Sequence, residues 1–365
     1  MPALHQFVAG YSLGDAISNE ARRLRTLFRE WGFASEIFCE RQRILPQLRR
    51  EALDVATAAQ RIQPTDAVLL HLSIGSAVNE LFRQLPCRKA LRYHNITPPD
   101  FFQDFYEPTA RILRAGREQI KALAGTAQVN LAVSEFNAAE LRASGYTAVG
   151  VVPLLLDFAQ LRGAANRATR AKYDDDRINI LFVGRGVPNK RIEDLLAAFH
   201  YFQKYIEPRS HLIHAGSYVG LERYQALIFT RARKLQLNHV ELIGSIPQDE
   251  LNACYQSAHV FLSMSEHEGF CIPLIEAMVN DVPILAFAAG AVPETLAGAG
   301  VLFKAKRFDL IAEMLGRLVR DTSLRDAVLA GQRQRLASYE NRNLESELRT
   351  HLAPLLKPSF GVPNV

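Results

Sequence analysis

Short apolar runs that alternate with helical stretches are the feature that most constrains the fold of this chain. Continuous apolar runs of this length are typical of parallel strands that are covered on both faces. Helices between such strands supply right-handed crossovers, so the pattern predicts an α/β fold with parallel sheets. Besides a first buried strand near the amino terminus, the predicted strands are Ala67–Leu72, Leu91–His94, Asn130–Val133, Ile178–Val183, His211–Ala215, Val240–Ile243, Val260–Met264, Pro283–Phe287 and Val301–Phe303.

The length of 365 residues predicts two domains, because it exceeds what one hydrophobic core usually serves. The segment Leu161–Arg177 is rich in Ala, Arg and Asp and lacks strand character, and a new α/β unit begins at Ile178. We therefore expect one domain over residues 1–165, a second over 166–336, and a helical tail over 337–365. No internal repeat interrupts this organisation.

Composition and charge exclude several classes of protein. No stretch approaches the roughly 20 apolar residues of a membrane helix, and the amino terminus lacks the pattern of a signal peptide. The four cysteines are far apart, which favours buried free thiols in a reducing cytoplasm over disulfides or a zinc site. The net charge of +5 is spread along the chain. It does not indicate nucleic-acid binding, but it suits nucleotide phosphates or an anionic membrane face.

Three apparent motifs fail on inspection. Gly184-Arg-Gly186 follows a strand, but Asn189 stands where a dinucleotide fingerprint needs its third glycine. Asp174–Asp176 could chelate a metal, yet it lies in the predicted linker and fits a solvated turn better. His267-Glu268 resembles the start of a zinc-protease helix, but Cys271 replaces the second histidine. We therefore expect no metal site.

Two carboxylates flank a predicted helix start in the segment from Ser265 to Met278. Pro273 suits the first turn of a helix, so Glu268 would lie in the preceding loop and Glu276 about one turn inside. Carboxylates there could accept hydrogen bonds from vicinal hydroxyls of a ribose or a hexose, or they could be ordinary helix carboxylates. The backbone amides before the helix would point toward an anion, and they belong to Gly269, Phe270, Cys271 and Ile272.

A second segment, from Phe182 to Leu196, consists of a strand, a loop and an amphipathic helix. Arg185 and Lys190 follow the carboxyl end of the strand, where open α/β sheets bind their ligands. A guanidinium and an ammonium at that point could neutralise a diphosphate.

Together the two segments resemble the fourth sequence family of retaining glycosyltransferases. The Glu-x7-Glu signature of that family matches Glu268 and Glu276, and its Gly-Arg-x4-Lys signature matches Gly184, Arg185 and Lys190. The agreement extends from about Ile178 to Leu318. The resemblance implies the GT-B fold, with two facing Rossmann-like domains and a tail that crosses back to the first. Residues 166–336 would bind the donor and residues 1–165 the acceptor.

The resemblance also implies a role for each matched residue. Glu276 would bind the ribose, and Glu268 would hold hydroxyls of the transferred sugar with the amides of Gly269 and Phe270. Arg185 and Lys190 would grip the diphosphate, and the main chain around Ile246 would meet the base. In the first half, Gly14 would lie in a loop near the phosphates. His94, at a strand end, would stand beside the transferred sugar, although a structural role for it stays open.

The implied reaction is the transfer of a hexose, with retention, from a nucleotide diphosphate sugar to a saccharide or lipid-linked acceptor in surface polysaccharide synthesis. The resemblance implies neither a cofactor nor a metal ion. It implies a cytoplasmic protein, with the inner membrane face as a further expected partner. Three other functions stay open: a sugar phosphorylase of the same fold, a nucleotide-sugar epimerase of the same fold, and a non-catalytic nucleotide-binding protein.

Overall fold

The computed structural model describes residues 2–356, and they divide into two compact units. Unit 1 comprises residues 2–99, 108–156 and 343–356, and unit 2 comprises residues 100–107 and 157–342. Each unit has one parallel sheet with helices between its strands, which confirms the predicted α/β class.

Unit 1 contains a seven-stranded parallel sheet in the order β3-β2-β1-β4-β5-β6-β7. Its central strands are fully buried, as the continuous apolar runs predict. The strands are β1 Leu4–Val8, β2 Ile37–Cys39, β3 Leu53–Asp54, β4 Ala67–Leu72, β5 Arg88–Tyr93, β6 Val129–Ala132 and β7 Gly150–Val151. The helices are α1 Ala16–Glu30, α2 Ala58–Arg61, α3 Ala77–Gln84, α4 Glu107–Ala122 and α5 Glu135–Ala143. The last helix of the described chain, α15 Leu344–Leu356, also belongs to unit 1.

Helix α1 shows how local sequence sets these elements. The Asp15 carboxylate accepts a hydrogen bond from the Ser18 amide at 2.8 Å and caps the first turn. Leu24 and Phe28, one turn apart, are buried against the sheet. Gly32 follows with φ of 89°, a left-handed conformation that ends the helix.

Unit 2 contains a six-stranded parallel sheet in the order β10-β9-β8-β11-β12-β13. Its strands are β8 Ile178–Val183, β9 Ser210–Ala215, β10 Val240–Gly244, β11 Val260–Ser263, β12 Ile284–Phe287 and β13 Val301–Phe303. Its helices are α6 Phe158–Leu161, α7 Arg167–Tyr173, α8 Ile192–Tyr201, α9 Glu222–Lys234, α10 Gln248–Ser257, α11 Ile272–Val279, α12 Val292–Leu296, α13 Phe308–Arg320 and α14 Thr322–Glu340. All predicted strands are present, with bounds that differ by three residues at most.

The break between the units falls at Leu156, before the expected boundary at residue 165. The reason is that α6 packs against α10 and α11 of unit 2. At the other end, α14 packs on α11 and α13, while α15 contributes Leu348, Leu352 and Leu355 to the core of unit 1.

Two further expectations concern the cysteines and helices that could span a membrane. All four cysteines are buried and unpaired, as predicted. No helix among residues 2–356 combines the length and apolarity that crossing a bilayer demands.

Candidate functional site

Most of the predicted site residues lie where β8 and β11 end in unit 2. These two strands are neighbours, and the chain continues from them to opposite sides of the sheet, to β9 and to β12. Ligands of open α/β sheets bind outside the carboxyl ends of strands at such a reversal of strand order. The predicted residues Arg185 and Lys190 follow β8, and Glu268 and Glu276 follow β11.

The loop after β8 is packed tightly against the loop after β9. The Gly184 amide donates to the Ala215 carbonyl at 2.9 Å, and the Gly186 amide donates to the Ser217 carbonyl at 2.9 Å. A Cβ atom at Gly216 would lie only 1.7 Å from the Gly184 oxygen. A side chain at Gly216 would therefore displace the loop that carries Arg185.

A buried histidine that the sequence did not point out fixes the same loop. His214 Nε2 donates to the Gly184 carbonyl at 2.8 Å, and the Tyr218 hydroxyl donates to His214 Nδ1 at 2.9 Å. Burial lowers the pKa of His214 to about 4, so the ring is neutral at physiological pH. The only available signal was a histidine inside the apolar run of β9.

Lys190 and Glu268 form an ion pair, with 2.6 Å between Nζ and Oε1. Their side chains are 18% and 9% exposed, so the pair is largely shielded from water. Arg185, by contrast, is exposed, and its guanidinium has no ion-pair partner in the part of the chain that the structure describes. The structure thus brings Lys190 and Glu268 together and leaves Arg185 able to meet a ligand.

The loop from Glu268 to the start of α11 is held by its neighbours. The Ala291 amide donates to the Glu268 carbonyl at 2.9 Å, and Asn189 Nδ2 donates to the His267 carbonyl at 3.0 Å. Cys271, the residue before α11, has φ of 68°, which an L-residue other than glycine rarely adopts. Backbone strain of this kind clusters at functional sites, because the surrounding structure must enforce it.

The Cys271 thiol donates a hydrogen bond to Glu268, and burial raises the pKa of that thiol well above its usual value. Gly269 and Phe270 precede Cys271, and Ile272 begins α11, so the four predicted amides lie at this helix start. The first amides of a helix have no partner inside it and suit an anion.

Glu276 lies on α11 and is half-buried. The hydroxyl of the fully buried Tyr255 donates to its Oε2 at 2.6 Å. Burial raises the pKa of Glu276 although this hydrogen bond acts in the opposite direction. Tyr255 was not predicted, because nothing in the sequence links a tyrosine of α10 to a glutamate 21 positions later.

A cavity of about 400 Å³ opens beyond the carboxyl ends of β9 and β10. An antiparallel bridge between Gly216 and Gly244 joins the two strand ends there. The predicted residue Ile246 is half-buried and directly follows the lining residue Ser245. The lining residues are Ser217, Tyr218, Val219, Glu222, Gln225, Leu242, Gly244 and Ser245.

His94 and Gly14 lie in unit 1. Gly14 has φ of 67° in the turn before α1, a conformation that suits glycine. His94 directly follows β5, and its side chain is 3% exposed. Its Nε2 lies 2.9 Å from His71 Nδ1 and 3.6 Å from Glu20 Oε2. His94 is therefore part of a buried polar cluster in unit 1.

The acidic run Asp174–Asp176 is engaged at the surface. Asp175 pairs with Arg177, and Asp176 pairs with Arg209 at 2.6 Å. These contacts agree with the expected solvated turn.

Residues 165–342 match the family model "Glycosyl transferases group 1". The chain is 27% identical over 231 residues to the O-antigen chain mannosyltransferase B of Escherichia coli. The aligned stretch covers 62% of this chain and 60% of that protein. The chain is also 35% identical over 108 residues to the GDP-mannose:cellobiosyl-diphosphopolyprenol alpha-mannosyltransferase of Xanthomonas oryzae pv. oryzae. This alignment covers 29% of this chain and 28% of the relative. The matched segments thus span less than two thirds of these curated relatives.

Among solved structures, sucrose-phosphate synthase from Thermosynechococcus elongatus superposes with a TM-score of 0.73 at 17% identity. The match covers 97% of this chain and 99% of that protein. Such low identity establishes the fold alone, and it confirms the expected GT-B fold.

Proposed function

We propose, on the premise that residues 165–342 belong to the glycosyl transferases group 1, that this chain is a retaining glycosyltransferase. It would move a hexose from a nucleotide diphosphate sugar to a saccharide or lipid-linked acceptor in surface polysaccharide synthesis. The observation that carries the proposal is the Lys190–Glu268 ion pair at the carboxyl ends of β8 and β11. Arg185 also follows β8, and its guanidinium has no ion-pair partner among the described residues. These groups supply both a positive site for a diphosphate and a carboxylate for sugar hydroxyls.

The cations would act on the leaving group. Departure of the nucleoside diphosphate leaves negative charge on its phosphate oxygens and oxocarbenium character on the sugar. Arg185 would stabilise that charge as it develops, and Lys190 would bridge Glu268 and the diphosphate. Hydrogen bonds from the loop after β9 and from His214 fix the loop that carries Arg185. The charged groups therefore need to move little as the reaction proceeds.

The two glutamates would bind different parts of the donor. Glu268, largely shielded, would accept hydrogen bonds from hydroxyls of the transferred hexose. Glu276, held by Tyr255, would bind the ribose hydroxyls. The cavity beyond β9 and β10 is large enough for a nucleobase, and the main chain at Ile246 would meet its edge.

Mannose is the hexose that the comparisons favour. Both relatives described above are named mannosyltransferases, and the name of one specifies GDP-mannose and a diphosphopolyprenol acceptor. We therefore propose GDP-mannose as the donor and a polyprenol-linked saccharide as the acceptor. Such an acceptor would place the reaction in the cytoplasm, at the inner face of the membrane.

We also propose that the reaction needs no metal ion, because Arg185 and Lys190 supply the positive charge at the diphosphate. Within the acidic run Asp174–Asp176, Asp175 and Asp176 already pair with Arg177 and Arg209. Transfer should persist in excess EDTA at an unchanged rate. Loss of activity with EDTA and recovery with Mg²⁺ or Mn²⁺ would contradict this part of the proposal.

The test is a transfer assay with the purified full-length chain. GDP-mannose, UDP-glucose and ADP-glucose are each supplied with a polyprenol-diphosphate-linked saccharide, and the released nucleoside diphosphate and the product anomer are measured. We expect release and an α-linked product with GDP-mannose, and neither with the Arg185→Ala, Lys190→Ala double variant. Release that requires inorganic phosphate would identify a phosphorylase. Epimerised donor would identify an epimerase, and donor binding without turnover would identify a non-catalytic nucleotide-binding protein.

A further inference from the structure

A row of hydrogen bonds runs through the interior of unit 1 from α1 to His94. Gln6 Nε2 donates to the Ala21 carbonyl at 3.0 Å, and Gln6 Oε1 lies 3.0 Å from His71 Nε2. His71 Nδ1 lies 2.9 Å from His94 Nε2. Gln6 and His71 are completely buried, so no water competes for these contacts.

The direction of every bond in the row follows from its first member. A carbonyl only accepts, so the Gln6 amide must turn its NH₂ toward Ala21 and its oxygen toward His71. His71 Nε2 must then carry a proton to donate to that oxygen. Burial and the neighbouring His94 hold the pKa of His71 well below its usual range, so the ring is neutral and its Nδ1 carries a lone pair.

The same logic places the proton of His94. Its Nε2 faces the His71 Nδ1 lone pair at 2.9 Å and the Glu20 carboxylate at 3.6 Å, and both only accept. Nε2 must therefore be the protonated nitrogen. Burial and Arg92 hold the pKa of His94 well below its usual range, so the ring is neutral. Its Nδ1 then carries a lone pair, and it has no hydrogen-bond partner among the described residues.

Glu20, His71 and His94 also lie close enough to suggest a metal site. Arg92 argues against that reading. Its guanidinium donates to both Glu20 oxygens, at 2.7 and 3.0 Å, and it would repel a cation at the same place. The buried Arg92–Glu20 pair balances its own charge and leaves the two histidines as neutral hydrogen-bonding groups.

We propose that Gln6 and His71 are positioning residues that hold His94 in the tautomer with its proton on Nε2, so that Nδ1 accepts a hydrogen bond from a hydroxyl of the transferred sugar. The sugar contact rests on the proposed function, whereas the tautomer does not. In this arrangement His94 cannot protonate the leaving group. It orients a hydroxyl, and Gln6 determines which of its nitrogens is free to do so.

The tautomer is tested by nuclear magnetic resonance on the full chain with ¹⁵N-labelled histidine. Long-range ¹H–¹⁵N spectra at pH 7 show which ring nitrogen carries the proton, and His71→Asn and His94→Asn variants identify the two signals among ten histidines. We expect both rings to be neutral with the proton on Nε2. A proton on Nδ1 of His94, or a doubly protonated ring, would overturn the proposal.

The role of Gln6 is tested with Gln6→Met, which keeps the side-chain length and removes the acceptor. His71 should then place its proton on Nδ1 and donate to His94, whose own proton should move to Nδ1. The matched control is Gln332→Met in unit 2. Gln332 is also buried and also makes two hydrogen bonds, but both of them are to backbone groups, Val282 and Ile284, and neither involves a histidine. Unchanged tautomers in a folded Gln6→Met variant would remove Gln6 from the proposal. If that variant does not fold, the wild-type spectrum still decides the tautomer.

The sugar contact is tested by kinetics. Gln6→Met should lower kcat for transfer about 3- to 10-fold, the effect of one hydrogen bond, and leave the affinity for the free nucleoside diphosphate unchanged. His94→Asn should keep more activity than His94→Ala, because its amide oxygen can take the place of Nδ1. A tautomer shift without a change in kcat would overturn the sugar contact alone. If the wild-type chain transfers no sugar, the proposed function fails while the tautomer result stands.

Discussion

Two cations follow the end of β8, and they differ in whether a carboxylate neutralises them. Lys190 is neutralised by Glu268 at 2.6 Å, whereas the Arg185 guanidinium has no ion-pair partner in the part of the chain that is described. We therefore expect Arg185→Ala to lower kcat about 100-fold or more, since it removes an electrostatic contact to the leaving group. Steady-state kinetics measures the loss, and acceptor affinity should change little.

The matched control for that substitution is Arg209→Ala. Arg209 is also exposed, but it pairs with Asp176 just before β9, at the opposite end of the sheet from Arg185. A surface pair of this kind contributes little, so activity should stay within twofold or so. Equal kcat for wild type and a folded Arg185→Ala variant would remove Arg185 from the mechanism.

The two glutamates should separate by function. Glu276→Gln should weaken binding of the free nucleoside diphosphate about 10-fold, because an ionised acceptor of the ribose hydroxyls becomes a neutral one. Glu268→Gln should leave that binding nearly intact and reduce transfer. Titration calorimetry with the nucleotide alone tests both variants, and equal losses of affinity would contradict the assignment.

The raised pKa of Glu276 also predicts how the stability of the fold depends on pH. Its folded-state pKa is raised, so the folded chain holds this proton more tightly than the unfolded chain does. The ionised group therefore destabilises the fold above that pKa, and it has no such effect below the unfolded pKa. Glu276→Gln, which can still accept from Tyr255, should raise the Tm of the free chain at pH 7 and leave it unchanged at pH 4. A lower Tm at pH 7 would contradict this.

The residues that the sequence identified are those whose chemistry shows in local spacing. Lys190, Glu268 and Glu276 follow strands at distances that suit a ligand site, and this spacing together with the family resemblance predicted them as site residues. Tyr255, which donates to Glu276, and His71, which lies 2.9 Å from His94, make contacts across 21 and 23 positions. No local pattern encodes such partners. A polar residue inside an apolar strand is a signal that could have revealed His71 in β4, but no such signal marks Tyr255 on α10.

Among the elements, the longer strands were the ones that could be predicted most reliably. The buried strands of four to six residues gave continuous apolar runs, and all of them were identified. Strands β2, β3 and β7, with three, two and two residues, were not predicted. Strand β13 also has three residues and was predicted, so length alone does not decide the outcome for a strand this short. The tail over residues 337–365 was expected to be helical. As far as residue 356, where the described residues end, it contains the end of α14 and all of α15, with a break before Leu344. Asn343 makes the second start, since its side chain accepts from the Ser346 amide at 3.0 Å.

The contact between the loops after β8 and β9 gives a prediction at this scale. Gly216→Ala would place a Cβ atom 1.7 Å from the Gly184 oxygen, so the loop that carries Arg185 must move. We expect a loss of nucleotide affinity together with a lower Tm. Gly331→Ala is the control, because nothing lies within 4 Å of that position on α14, and alanine there should stabilise the helix by about 0.5–1 kcal/mol. Unchanged nucleotide affinity in Gly216→Ala would show that this loop does not hold the donor.

For the whole molecule, each of the two units has its own sheet and carries some of the residues proposed for the site. The residues proposed to hold the phosphates, ribose and hexose are in unit 2, apart from Gly14 and His94 in unit 1. Unit 1 depends on the end of the chain, because α15 packs on β5 and β6 and adds three leucines to its core. A change in α15 should therefore affect transfer without affecting the nucleotide.

Leu352→Ala tests that dependence. Leu352 is fully buried in the core of unit 1, next to residues such as Leu4 and Leu131, and truncating it should cost about 2–5 kcal/mol of unfolding free energy. Calorimetry should show the transition of unit 1 at a lower temperature. The transition of unit 2, identified by its rise when nucleoside diphosphate is added, should not move. Transfer should fail as unit 1 unfolds, because His94 is lost with it, while nucleotide affinity persists. Leu310→Ala, at a position that is 57% exposed on α13, should change neither transition. A single transition that Leu352→Ala lowers for both units together would show instead that they unfold as one.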